Sequence, residues 1–328
     1  MADPNVLVTF RPTEAVRDAL TRTFDGAARV TYLAEMEEET RRRALGSADA
    51  VLAWSLDREL EGPEELAEHG SVRLVQLLTA GADHMPLDWI PDRIPVASNA
   101  GAYSGPMAEH VLAMALALAK RLPERHAALR SGVFDQAPNR EIRGAQVCIL
   151  GFGGIGRASA HLFRALGARI RAVTRSPVVD ESIEWEGTID DLDAGLSGAD
   201  VVVVSLPLTR ATRGLLGARE LSVMKSDAIL INVARGEIVD EDALYRHLTE
   251  HPAFQAGLDV WWDEPRGGAP FAPRLPFLQL PNVLGSPHNS GITQSSMAHA
   301  ARQAALNILR VLGGSPAAHL VDRREYPD

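Results

Sequence analysis

The chain of 328 residues has one cysteine, Cys148, and only two lysines, Lys120 and Lys225, among its 33 basic residues. A single cysteine excludes a disulfide, and its place inside an apolar run marks it as a buried, inert thiol. No apolar run reaches the roughly 18 residues that a membrane-spanning helix needs. The longest helical apolar stretch runs only from Val111 to Ala119. No N-terminal stretch pairs basic residues with an apolar core, so a reducing cytoplasm is the expected address and no membrane partner is expected. Positive charge is scarce as well. The net charge of −10 argues against a nucleic-acid partner, because a phosphate backbone demands a basic face. The short runs Arg41-Arg42-Arg43 and Arg323-Arg324 read as solvated surface. There is no repeat and no low-complexity linker, and no metal is expected.

What remains is an ordinary globular composition, 46% hydrophobic and 23% charged, on a chain long enough for two domains. Apolar runs alternate with helical patterns, which is the mark of parallel α/β architecture. The first half reads as strands over Asn5–Phe10, Ala28–Leu33, Ala50–Trp54, Val72–Leu78 and Pro95–Ser98, with helices over Thr13–Phe24, Met36–Leu45 and Pro63–His69 between them. A long helix follows from Ser104 to Arg121, with Pro106 tolerated in its first turn. The second half begins at Ala145 and reads as strands at Arg169–Val173, Asp200–Ser205, Ala228–Asn232, Gln255–Asp259 and Val283–Ser286. Helices are expected near Asp191–Leu196, Ala218–Met224 and Glu241–His251, and a last one over Thr293–Leu312.

The most informative segment lies at the start of that second half. Val147 to Leu150 is apolar, Gly151-Phe152-Gly153-Gly154-Ile155-Gly156 follows, and a helical stretch runs from Arg157 to Leu166. An apolar run ending in G-x-G-x-x-G and opening into a helix is a dinucleotide-binding fingerprint. Gly151 permits the tight turn, Gly153 lets a pyrophosphate approach the backbone, and Gly156 lets helix and strand pack closely. The helix N-terminus then faces the anion. The alternative is a glycine-rich turn with no ligand. About 20 residues past the glycines, an acidic residue would serve the ribose hydroxyls of NAD. Here Thr174-Arg175-Ser176 stands at that place. A guanidinium flanked by hydroxyls suits a 2′-phosphate, so NADP is expected ahead of NAD. Arg175 as a solvated strand-end residue is the other reading.

Three later strand ends each carry a polar residue of catalytic type: Arg235 after Ile229–Asn232, Asp259 and Glu264 after Gly257-Leu258, and His288 after Val283–Ser286. Together they suit the transfer of a hydride and a proton between a nicotinamide and an oxo or hydroxy acid. Arg235 would bind the substrate carboxylate and polarise the carbonyl. His288 would give or take the proton. Glu264 would orient the imidazole and stabilise its charged form. Singly, Glu264 before Pro265 could be a turn residue and His288 a satisfied loop histidine.

Gly151-x-Gly153-x-x-Gly156, Asn232-Val233-Ala234-Arg235-Gly236, Asp259-Val260 through Glu264-Pro265, and Pro287-His288 resemble the signature blocks of the D-isomer-specific 2-hydroxyacid dehydrogenase family, in order and spacing over essentially the whole chain. The resemblance implies two Rossmann-like, doubly wound parallel-sheet domains with a cleft between them. A discontinuous flavodoxin-like substrate domain would span 1–98 and 290–328, and an NAD(P)-binding domain 99–289. It implies a substrate-carboxylate loop in Leu78-Thr79-Ala80-Gly81-Ala82-Asp83-His84, bound by backbone N–H groups near Ala80 and Gly81, with Asn99-Ala100-Gly101 and Ala108-Glu109-His110 at the crossover. It further implies a cofactor lining of Met107, Gly151, Gly153, Gly154, Ile155, Gly156, Thr174, Arg175, Ser176, Ser205, Leu206, Pro207, Thr212, Val233, Ala234, Arg235, Asp259, His288 and Ser290. A homodimer joined through the nucleotide domains is implied too. Trp54, Tyr103, Met107 and Trp261 are candidates for the substrate pocket, although a place in core or interface is the favoured reading of each.

The departures narrow the branch. Ser205 stands where a histidine is commoner, and Asn289-Ser290-Gly291 follows His288 where relatives carry an apolar and a small residue. Formate dehydrogenases have glutamine in place of Glu264, and phosphite dehydrogenases lysine near Ala80, so neither fits. Arg175 resembles the NADPH-preferring glyoxylate and hydroxypyruvate reductases. A reductase of small 2-oxo acids is therefore expected. An NAD-dependent dehydrogenase of a bulkier D-2-hydroxy acid, or a nucleotide-sensing binding protein like the related co-repressors, is the alternative.

Overall fold

The computed structural model describes residues 3–67, 71–178, 180, 182–265 and 268–326. They form two compact units, one of residues 1–103 with 292–328 and one of residues 104–291.

The first unit begins with β1 (Asn5–Val8), every residue of which is buried. Helix α1 (Glu14–Phe24) is started by Thr13, whose side chain accepts from the Val16 backbone N–H. Its buried residues, Val16, Leu20 and Phe24, recur every four positions and make one apolar stripe. Then come β2 (Arg29–Tyr32), α2 (Glu38–Gly46), β3 (Ala50–Ala53), the short α3 (Leu56–Glu59) and α4 (Glu64–Ala67), β4 (Val75–Leu77) and β5 (Val96–Ala97). The end of the expected Pro63–His69 helix lies outside the described residues. The five strands make one parallel sheet in the order β2-β1-β3-β4-β5.

The second unit opens with α5 (Ser104–Ala119) and α6 (Leu122–Arg130). One unbroken helix to Arg121 is expected from the sequence. The structure stops it at Ala119, because Arg121 takes a left-handed φ of 50° and a new helix starts at Leu122 with Pro123 in its first turn. The dinucleotide-type segment gives β6 (Gln146–Leu150) and α7 (Gly154–Ala165), and β7 (Arg169–Val173) follows. Helix α7 starts three residues before the expected Arg157, since the glycines themselves form its first turn. The half-buried strand β8 (Ile183–Gly187) was not expected; its charged, weakly alternating sequence belongs to a sheet edge. Then come α8 (Leu192–Leu196), β9 (Val201–Val204), α9 (Ala218–Val223), β10 (Ile229–Asn232), α10 (Glu241–Glu250), β11 (Gln255–Leu258) and β12 (Val283–Gly285). These seven strands form a parallel sheet ordered β12-β11-β10-β9-β6-β7-β8. Cys148 is fully buried on β6, and burial pushes its thiol up to about 12 against a small opposing effect of Arg171, so it is inert.

The last helix, α11 (Ser296–Leu312), belongs to the first unit and packs against α1. It begins after the expected Thr293 because Thr293 and Ser296 exchange hydrogen bonds ahead of its first turn. Several expected strands run one or two residues past the observed ladders. Ser205, Asp259 and Ser286 each donate one last backbone bond to the neighbouring strand and then turn away. Those turning residues stand at the carboxyl ends of β9, β11 and β12.

Candidate active site

Order reverses between β6 and β9, and open parallel sheets bind ligands at such a switch point, beyond the carboxyl ends of the strands. The glycine turn sits there. Gly151 has φ +93°, and a Cβ on it would lie 2.9 Å from the Ser205 carbonyl oxygen at the end of β9. A Cβ on Gly156 would lie 2.2 Å from the Gly151 carbonyl oxygen. These two glycines are demanded by the protein's own packing. Gly153 differs: a Cβ there would meet nothing within 4 Å, so its bareness serves no internal contact. It caps α7, whose first N–H groups have no partner within the helix. A bare, outward-facing glycine at a helix N-terminus fits a dinucleotide pyrophosphate. Gly154 is exposed and Ile155 half-buried beside it. The Ser205 hydroxyl donates to the Gly151 carbonyl (2.8 Å), which ties β9 to the turn. Leu206 and Pro207 continue that wall, while Thr212 folds the loop by accepting from Thr209 N–H and donating to the Pro207 carbonyl (2.6 Å).

At the end of β7, Arg175 and Ser176 are exposed and Thr174 is buried. The Thr174 hydroxyl donates towards the Glu186 carboxylate (2.9 Å) and the Ser176 carbonyl (3.0 Å), and the Val178 N–H donates to the same glutamate oxygen (2.7 Å). Glu186, on the unexpected strand β8, thus shapes this turn. Its only sequence signal was the Ile-Glu-Trp-Glu alternation of an edge strand.

The carboxyl ends of β10, β11 and β12 lie side by side and carry Arg235, Glu264 and His288. Asn232 closes the first loop by accepting from Ala234 N–H and donating to the Arg235 carbonyl. Val233 and Ala234 are buried, and Arg235 Nη1 donates to the Ala234 carbonyl (2.7 Å). Gly236 then packs so tightly that a Cβ would lie 2.5 Å from the Trp261 carbonyl carbon, which locks the Arg235 loop to the Glu264 loop. His288 has a left-handed φ of 51°, a strained conformation held by its N–H donating to the Asp259 carbonyl (2.7 Å). Its Nδ1 lies 2.7 and 2.9 Å from the two Glu264 carboxylate oxygens. Burial pushes the Glu264 carboxyl up, but the His288 hydrogen bond and charge, the Trp261 N–H and the Arg235 charge outweigh it and hold it low.

Asp259 is fully buried beneath this pair. Its carboxylate accepts from the Ser286 hydroxyl (2.5 Å) and from the N–H groups of Asn289 and Ser290 (both 3.1 Å). Burial again opposes ionisation, and the hydrogen bonds of Ser286, Ser290 and Asn289 again prevail, so Asp259 stays low. Since the Ser286 hydroxyl donates its one hydrogen to Asp259, it accepts from His110 Nε2 (2.9 Å). His110 and Ser286 were missed as site residues because 176 positions separate them. Met107, one turn earlier on α5, is half-buried against the core of the second unit, and Trp261 is buried.

In the first unit Ala80 and Gly81 follow β4 in a loop where the Thr79 hydroxyl donates to the Gly81 carbonyl (2.9 Å). His84 Nε2 lies 2.9 Å from the Trp54 carbonyl at the end of β3, and Tyr103 donates to the Leu78 carbonyl (2.9 Å). Among the described residues no group of three or more His, Cys, Asp or Glu could hold a metal ion. Among them, too, no helix is long and apolar enough to cross a membrane.

Comparison with known proteins agrees with this geometry. Residues 112–290 match the model of the D-isomer specific 2-hydroxyacid dehydrogenase NAD binding domain. A glyoxylate reductase of Aeropyrum pernix is 30% identical over 98% of this chain and 97% of its own length. A D-3-phosphoglycerate dehydrogenase of Methanocaldococcus jannaschii is 27% identical over 98% of this chain, which spans only 60% of that protein. The crystal structure of a D-isomer specific 2-hydroxyacid dehydrogenase from Xanthobacter autotrophicus Py2, in complex with NADPH and MES, superposes with a TM-score of 0.83 at 30% identity, covering 99% of this chain and 100% of that one. With the fingerprint at the switch point and Arg235, Glu264 and His288 on adjacent strand ends, the chain belongs to the D-isomer specific 2-hydroxyacid dehydrogenase family.

Proposed function

We propose that the protein reduces small 2-oxo acids, glyoxylate and hydroxypyruvate among them, to 2-hydroxy acids with NADPH. The observation that carries this reading is the His288–Glu264 pair at 2.7 Å, with the Arg235 charge acting on the same carboxylate. A carboxylate can only accept, so Nδ1 of His288 is the donor in that pair and Nε2 is left to face substrate. The Arg235 fork binds the substrate carboxylate and draws electron density from the carbonyl. Backbone N–H groups of Ala80 and Gly81 assist in holding the carboxylate. When bound, the nicotinamide supplies the hydride that adds to the carbonyl carbon. His288 gives the Nε2 proton to the carbonyl oxygen as that bond forms, and Glu264 stabilises the imidazolium beforehand. The half-buried imidazole then regains its proton from solvent.

Gly151, Gly153, Gly154, Ile155 and Gly156 hold the pyrophosphate in this reading, and Arg175 with Ser176 meets the 2′-phosphate. Their exposure at the end of β7 supports that assignment, as does the NADPH in the Xanthobacter relative. The assembly is a homodimer in the cytoplasm. Leu122, Leu129, Val133 and Phe134 are all more than half exposed on and after α6, an apolar surface that a second copy would cover.

Mixing the protein with NADPH and glyoxylate, then hydroxypyruvate, and following the loss of reduced-nicotinamide absorbance tests the reading. Steady oxidation is expected. No turnover across a panel of small 2-oxo acids with either NADPH or NADH would overturn it.

A further inference from the structure

The five-stranded sheet has a switch point of its own. In the order β2-β1-β3-β4-β5 the direction of winding reverses between β1 and β3, and a cavity of about 300 Å³ opens beyond the ends of those two strands. That is the position, and the lower end of the size range, at which open parallel sheets hold small ligands. Phe10, Arg11, Thr13, Trp54, Arg58 and Glu59 line it. Phe10 and Trp54 meet edge to face with ring centroids 6.1 Å apart, and Trp54 keeps 42% of its surface exposed.

The charge of the cavity is unbalanced towards the positive. The Glu59 carboxylate is engaged by the Thr9 hydroxyl (2.6 Å), the Ser55 N–H (2.8 Å) and the Trp54 N–H (3.2 Å), and burial raises it above the ordinary range despite those bonds. Asp57 accepts from the Ser55 hydroxyl (2.5 Å). Arg11 has one long bond, to the Ala34 carbonyl (3.4 Å), and the Arg58 guanidinium has no acceptor or carboxylate partner among the described residues. The N-terminus of α1, at Thr13, opens on the same space and adds a partial positive charge.

The cavity adjoins the carboxylate loop. Strands β3 and β4 are neighbours, and the Trp54 carbonyl is bonded to His84 of the loop that contains Ala80 and Gly81. Strand spacing of about 4.8 Å puts the space between β1 and β3 roughly 7 Å from the end of β4. That distance suits a carbon chain with an acidic group at each end. Resting on the function proposed above, we propose that this cavity is the subsite for a second anionic group on the substrate, held by Arg11 and Arg58 over the Trp54 ring, so that 2-oxo dicarboxylic acids are preferred to 2-oxo monocarboxylic acids of equal length.

The test compares 2-oxoglutarate with 2-oxopentanoate, alongside glyoxylate, in the parent and in the Arg11→Gln, Arg58→Gln double variant. In the parent, kcat/KM for 2-oxoglutarate should exceed that for 2-oxopentanoate by roughly tenfold or more, chiefly through KM, and the double variant should erase the ratio. A parent without the preference, or a variant that retains it, overturns the subsite. Glyoxylate turnover by the parent reports separately on the proposed reaction. Calorimetry with glutarate, which has no carbonyl to reduce, reads the cavity independently of turnover. Glutarate should bind the parent at least about fivefold more tightly than the double variant. Equal binding to both, or none to the parent, overturns the proposal.

Discussion

The glycine turn after β6 and the histidine loop after β12 lie on one sheet and are built on opposite principles. The turn works by lacking side chains. Gly151 and Gly156 are bare because backbone would collide with a Cβ, and Gly153 is bare with open space before it. The histidine loop works by side chains drawn from far apart. His288 is held in a left-handed conformation by the Asp259 carbonyl, and the Asp259 carboxylate gathers Ser286, Asn289 and Ser290 around it. The contrast teaches that a backbone-built site is local and a side-chain-built one is a property of the whole sheet.

The largest expected effect belongs to the second region. General acid catalysis is worth about 10²–10⁴-fold, so His288→Ala should lose that much kcat while still binding NADPH by fluorescence titration. A loss of cofactor affinity in step with the loss of kcat would show that the residue is only structural.

Two substitutions in the turn should separate packing from binding. Gly156→Ala forces a Cβ onto the Gly151 carbonyl, an overpacking that costs about 1–3 kcal/mol, and should lower Tm. Gly153→Ala meets no protein atom, so its Tm should match the parent's, and its KM for NADPH should rise roughly tenfold or more. If Gly153→Ala leaves KM unchanged, no pyrophosphate passes there.

Arg175→Ala sharpens the comparison at the far end of the nucleotide. Losing a charged 2′-phosphate contact of about 1.5–3 kcal/mol should reduce kcat/KM for NADPH at least tenfold and leave NADH nearly untouched. Equal efficiency of the parent with both cofactors contradicts the NADP preference outright.

The smallest change is a shift along the pH axis. Glu264 is held below the ordinary glutamate value of 4.5, so its charge persists through neutral pH. Stability contributed by the depressed carboxyl is present above that ordinary value and lost as pH falls through the lower one. Glu264→Gln removes the charge that favours the imidazolium. The alkaline decline of 2-oxo acid reduction should therefore move to lower pH, read from kcat/KM profiles. Overlaying profiles would return Glu264 to a turn residue before Pro265.

How much of this was legible in the sequence follows from the same contrast. Gly151, Gly153 and Gly156 announced the turn because every steric demand on it falls within a few residues or on the adjacent strand end. The alternation of buried strands and amphipathic helices announced parallel α/β architecture, since solvent exclusion acts on each element through its own period. Arg235, Glu264 and His288 stood out as strand-end residues, but the 2.7 Å contact between the last two needed β11 and β12 to pair in register. Tertiary structure alone decided the rest. The cap of Glu186 on the Thr174 turn, the His110–Ser286–Asp259 chain beneath His288 and the basic cavity between β1 and β3 each join residues that no local pattern connects. Hydrophobic periodicity reports which face of an element is buried. It carries no information on which polar groups meet at the ends, because that depends on strand order and on where each chain turns away from its ladder.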